Sequence, residues 1–136
     1  MDISSYEKLL EIICANETDI ISGIISLSKD RSYFKQYAGV GLAPESTVSE
    51  IFVKLLMLSL RIGDTENLKE QYAWALKMLG SRGLTKEGFI VSYSEYMDIA
   101  CKAIESHTTD EELKIKCREL FDAIKEEFVK YIENTI

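Results

Sequence analysis

The sequence predicts an all-α protein: a single-domain antiparallel helical bundle of about five to six helices spanning residues 1–136. Apolar residues recur at spacings of three and four from end to end, and no segment sustains the alternation of a half-buried strand. There is one proline in 136 residues, so little interrupts helix propagation. Serine, threonine, aspartate and glycine fall where helices would start and stop. A globin-like arrangement without haem is the alternative, because unequal helices around one buried central helix also satisfy the pattern.

The first helical stretch covers 4–29. Ser4 and Glu7 have capping-box spacing, and Tyr6, Leu9, Leu10 and Ile13 form a stripe that resumes at Ile20, Ile21, Ile24, Ile25 and Leu27. Glu17 falls in the line between them. The stretch is therefore one bent helix or two in tandem, with a break near Asn16–Thr18 and Thr18 as a new N-cap. Asp30 can cap a short turn carrying Tyr33, Phe34 and Tyr37. Gly39-Val40-Gly41-Leu42-Ala43-Pro44 then reads as a loop. It follows a helix and lacks the third glycine of a dinucleotide fingerprint, so it is not a phosphate loop.

Thr47 and Glu50 supply a second capping box for a helix over 46–62. That helix is apolar almost all round, which predicts contact on most sides and a central position. Lys54 and Arg61, seven apart, share a face that reads as its solvent strip. Gly63 ends the helix, and Asp64 caps the next, which bears Leu68, Tyr72, Ala75, Leu76 and Leu79. After a turn at Gly80-Ser81-Arg82-Gly83, Thr85 opens a helix with a stripe of Phe89, Tyr93, Tyr96, Met97, Ala100 and Ile104. Ser106-His107-Thr108 is a tight connection. Thr109 and Glu112 form a third capping box before the last helix, whose stripe is Leu113, Cys117, Leu120, Phe121, Ile124, Phe128, Tyr131 and Ile132. Asp110–Lys114 and Glu126–Lys130 are pairs one turn apart that support its outer face.

Composition narrows the function. With 46% hydrophobic and 29% charged residues the chain is globular rather than disordered. Its net charge of −7 opposes nucleic-acid binding, and the small basic groups Lys29, Arg31, Lys35 and Lys77, Arg82, Lys86 lack interleaved aromatics. The most apolar run, 51–62, is too short to cross a bilayer. The N-terminal residues have no cationic leader pattern, so the expected location is the cytoplasm.

A lone histidine and no Glu-x-x-His motif leave no ligand set for di-iron or histidine-bound haem sites. Cys14, Cys101 and Cys117 are far apart in sequence, with no Cys-x-x-Cys pair, and each reads as a small buried hydrophobe. The expectation is therefore no metal and no cofactor.

Two groups of residues remain as candidate sites. Tyr33, Phe34, Tyr37, Val40 and Leu42 lie in or beside an irregular segment and could form an amphipathic patch for a partner protein or a second copy of the chain. Lys102 and His107 are the polar candidates for an enzyme. Their segment, Lys102-Ala103-Ile104-Glu105-Ser106-His107, resembles the Arg-x4–6-His motif of HEPN ribonucleases, which are also small helical bundles, with lysine standing where that motif has arginine. The resemblance implies ribonuclease activity at Lys102 and His107. The reading that the whole sequence favours is a non-catalytic helical domain acting through protein–protein contact as a homo-oligomer, with a non-haem small-molecule binding or sensor domain as the alternative.

Overall fold

The computed structural model describes residues 6–28, 45–70, 73, 77 and 85–135. All of its elements are helices, with no strand among the described residues: α1 (Glu7–Ala15), α2 (Glu17–Ser28), α3 (Glu45–Ile62), α4 (Lys86–Glu105) and α5 (Glu111–Thr135). A short helical segment over 66–70 follows α3. The protein is all-α, as the periodicity predicts.

The expected break in the first stretch falls at Asn16. Its amide reaches the carbonyls of Ile12 and Ile13, and its side-chain Nδ2 donates to Ile12 O at 2.9 Å. The Asn16 carbonyl then accepts from Ile20 N at 2.8 Å, which starts α2. Thr18 therefore lies inside α2 and is not its cap, because the asparagine serves both helix ends. Ser4 of the first capping box lies outside the described residues, and Tyr6 at the N-cap makes no side-chain capping bond.

α3 stops at Gly63, which holds φ +91°, and Gly63 N and Asp64 N both return to the Ser59 carbonyl. Asp64 Oδ1 then accepts from Glu66 N at 3.1 Å, so Asp64 caps the next segment as expected. Thr85 caps α4 by accepting from Gly88 N at 3.0 Å. At α5 the expected cap is displaced by one residue. Asp110 Oδ1, not Thr109, accepts from Glu112 N and Leu113 N, while Thr108 Oγ1 accepts from Asp110 N. With Asp110 engaged there, Lys114 pairs with Glu111 at 3.5 Å instead; Lys130 pairs with Glu126 as expected.

α4 and α5 run antiparallel, joined by residues 106–110. Three pairings fix the register: Cys101 with Cys117, Asp98 with Lys125, and Tyr93 with Phe128. α2 lies against α4 and α3, and α1 against α3 and α5. α2 and α4 approach closely at Gly23, where an added Cβ would meet Ala103 Cβ at 3.5 Å.

One apolar core joins all five helices: Leu9 and Ile13 from α1, Ile20 and Ile24 from α2, and Phe52, Val53 and Leu56 from α3 meet the α4 and α5 stripes. Phe52 sits at its centre, edge-on to Tyr96 with centroids 5.5 Å apart and tilted against Phe121. The core also holds polar groups. Tyr96 Oη donates to Ser49 Oγ at 3.0 Å, whereas Ser59 Oγ is buried without a hydrogen-bond partner among the described residues.

Two expectations about α3 are modified. It is central, but Ile51, Leu58 and Ile62 remain 45%, 41% and 56% exposed, so one side is open. Lys54 and Arg61 do more than face solvent: Lys54 pairs with Glu17 of α2 at 3.4 Å, and Arg61 Nη2 lies 3.5 Å from Cys14 Sγ.

Candidate functional site

The α4–α5 hairpin brings together three groups that the linear sequence keeps apart. Cys101 and Glu105 are four residues apart on α4 and so lie on one face, one turn from each other. Cys117 enters from the second turn of α5. The connection holds this register through its own bonds. Ser106 Oγ donates to Ala103 O at 2.7 Å, His107 N to Ile104 O and Thr108 N to Glu105 O, after which Asp110 starts α5 at once.

The two sulfurs are 3.5 Å apart, and Cys101 Sγ donates to Glu105 Oε1 at 3.2 Å. The three ligand-type atoms all lie within 4.8 Å of one another. Cys117 is 1% exposed and Cys101 is buried, while Glu105 reaches the surface. There Arg118 grips its carboxylate with two nitrogens, Nε on Oε1 at 3.1 Å and Nη2 on Oε2 at 3.2 Å. The Cys101 thiol is pushed far above its ordinary range, first by the hydrogen bond it shares with Cys117 and then by burial. The Cys101 thiol thus holds its proton beside Cys117 and the Glu105 carboxyl group, which Arg118 grips.

The cysteines thus differ from the expectation of three isolated hydrophobes. Cys101 and Cys117 are neighbours, and Cys14 is exposed rather than buried. Both buried cysteines stand on facing sides of consecutive helices at similar distances from the connection, but their meeting depends on the register between the helices.

Of the other candidates, Lys102 is exposed on the last turn of α4 and His107 is half-buried in the connection. Neither side chain forms a hydrogen bond or ion pair with another described residue, so no acid–base pair is assembled from them. Tyr33, Phe34, Tyr37, Val40 and Leu42 lie outside the described residues. So do the Gly39–Pro44 segment and the turn at Gly80–Gly83.

Between α3 and α4, Phe52 and Tyr96 are in ring contact. A groove of about 280 Å³ lies elsewhere, between the starts of α1 and α5, lined by Tyr6, Lys8, Asp110, Glu112 and Lys116 among others. Lys116 Nζ lies 6.0 Å from the centre of the Tyr6 ring there. Tyr6 has a raised pKa, from burial first and the charge of Glu119 second.

A third feature is the open side of α3. Ile51, Leu58 and Ile62 are spaced by seven and four, so they fall on one line along the helix. Leu27, Val91 and Ile115 are also exposed, each on a different helix.

Fold and site together define an all-α protein with an internal thiol–carboxylate cluster and an apolar line on its central helix. No protein-family model matches the chain, and comparison with curated proteins and with solved structures returns no significant match. No helix among the described residues is long and apolar enough to cross a membrane.

Proposed function

We propose that the protein is a non-catalytic helical domain that acts through protein–protein contact, in the first place with a second copy of itself. The observation that carries this reading is the line of Ile51, Leu58 and Ile62 on α3. An exposed isoleucine or leucine is ordinary when it stands alone, but three on one ridge of the most apolar helix form a continuous strip. Half-buried Leu55 extends that strip between Ile51 and Leu58. Two such ridges packed against each other would remove apolar surface from water at roughly 25 cal/mol per Å². Charged residues beside the strip, Lys54 with Glu17 and Glu50, are already paired within the chain and can form a polar rim. The helices pack as one bundle in this reading, over the whole chain, and contact between copies needs no cofactor. The three free cysteines fit a reducing compartment, and the location proposed is the cytoplasm.

Light scattering on a sizing column tests the reading directly. The parent protein should elute at a multiple of its 15.5 kDa chain mass, and a Leu58→Glu, Ile62→Glu variant at that mass with unchanged helicity. A parent that stays monomeric at high concentration, or a variant that associates equally well, refutes it.

A further inference from the structure

We infer that Cys101, Cys117 and Glu105 form a binding site for a thiophilic divalent cation of the zinc class, built into the α4–α5 hairpin. This goes beyond the proposed self-association and does not depend on it.

The first argument is geometric. A tetrahedral zinc ion with bonds of about 2.3 Å to sulfur and about 2.0 Å to oxygen separates two sulfurs by about 3.8 Å, and a sulfur from an oxygen by about 3.5 Å. The sulfurs here are 3.5 Å apart and Cys101 Sγ is 3.2 Å from Glu105 Oε1. Each of these two edges needs to open by about 0.3 Å to admit the ion, a side-chain adjustment within the existing helix register. The third, from Cys117 Sγ to the carboxylate, already lies within 4.8 Å. The donors come from two rigid helices rather than from a loop, which favours a precise site.

The second argument is chemical. Two thiolates and one carboxylate suit zinc and its cobalt or cadmium substitutes, and not magnesium or calcium, which take all-oxygen shells. Three protein donors leave one tetrahedral position for water or an incoming ligand. Binding is balanced without any redox step. The cation displaces one proton from each thiol, two metal–sulfur bonds form, and both protons leave to solvent.

Electrostatics supplies the third argument. A dication, two thiolates and a carboxylate sum to a single negative charge, which the Arg118 guanidinium cancels through its two contacts with Glu105. The same arginine fixes the carboxylate with Oε1 toward Cys101, the orienting task that outer residues perform around protein-bound metals. Entry is short, because Glu105 lies at the surface end of the cluster and Arg118 is exposed.

Cobalt titration of the reduced, metal-free protein under anaerobic conditions tests the site, with Cys14→Ser as the background so that the exposed thiol contributes nothing. The expected result is a thiolate-to-cobalt charge-transfer band that saturates at one ion per chain, with tetrahedral visible bands and release of two protons. Zinc should bleach the band by displacing cobalt. Cys117→Ser should abolish it. Glu105→Gln should weaken binding at least as much as the roughly 10- to 100-fold that loss of an outer partner costs. No charge-transfer band with cobalt in excess would overturn the proposal, and that reading requires only the Cys14→Ser background to fold, a change at an exposed residue. A band of unchanged intensity in Cys117→Ser would overturn it equally.

Discussion

Tyr96 donates its phenolic hydrogen to Ser49 Oγ at 3.0 Å, inside the core and across 47 residues of chain. The bond links α4 to α3 at the point where the Tyr96 ring also meets the edge of Phe52. It is a polar tie within an apolar contact, so neither partner can be changed without consequence for the other.

Tyr96→Phe keeps the ring and leaves the buried Ser49 hydroxyl without its donor. The expected loss is about 1–2 kcal/mol in urea unfolding, the cost of a stranded polar group. Ser49→Ala should cost a similar amount, and the double variant less than the sum of the two. Additive losses would mean that the two groups do not act as a pair.

Phe128 is fully buried and stacks on Tyr93 with ring centroids 4.2 Å apart. Phe128→Ala removes this stack and opens a cavity in the hairpin, which predicts a loss of about 3–5 kcal/mol. Calorimetry on the variant would measure it. A loss below about 1 kcal/mol would show that the site collapses around the smaller residue.

At the start of α5 the cap is Asp110. Asp110→Ala should destabilise the protein by about 1 kcal/mol, since two amides lose their acceptor, while Thr109→Ala should fall within the range of ordinary surface changes. Thermal denaturation of the two variants separates them. The reverse ranking would return the cap to Thr109.

The raised pKa of the Cys101 thiol gives a pH signature in the reduced, metal-free protein. Its ordinary value is 9.0, and in the fold the bond to Cys117, burial and the Glu105 carboxylate all hold the proton on, while Arg118 is paired with Glu105. Above pH 9 the unfolded chain therefore binds fewer protons than the native one. The stability that the protonated thiol contributes is complete below that pH and is lost as pH rises. The melting temperature should fall above pH 9, and less steeply in Cys101→Ala. Equal slopes in the two proteins would remove Cys101 as a cause.

How much of this was legible in the sequence depends on the helix. The inward face of α5 was readable, since its positions from Cys117 to Ile132 recur with helical spacing, whereas its cap was placed one residue early, at Thr109 instead of Asp110. The break at Asn16 was visible as a charged residue in an apolar stripe. The role of Thr18 was misread because capping preference alone does not show that an asparagine two residues earlier bonds back to Ile12. On α3 the solvent strip of Lys54 and Arg61 is legible, but not that Ile51, Leu58 and Ile62 beside it are also exposed, because an apolar residue does not show by its type whether it is covered. The cluster of Cys101, Glu105 and Cys117 depends on how far one helix slides past the next, a quantity that spacing within either helix does not carry.

The tight connection at 106–110 has a kinetic meaning as well. Closing a hairpin over so few residues costs little chain entropy, and the contacts it brings, from Cys101–Cys117 out to Tyr93–Phe128, are nested in order of increasing separation. Such a pair can zip from its closed end outward, offering the remaining helices a preformed template on which to condense.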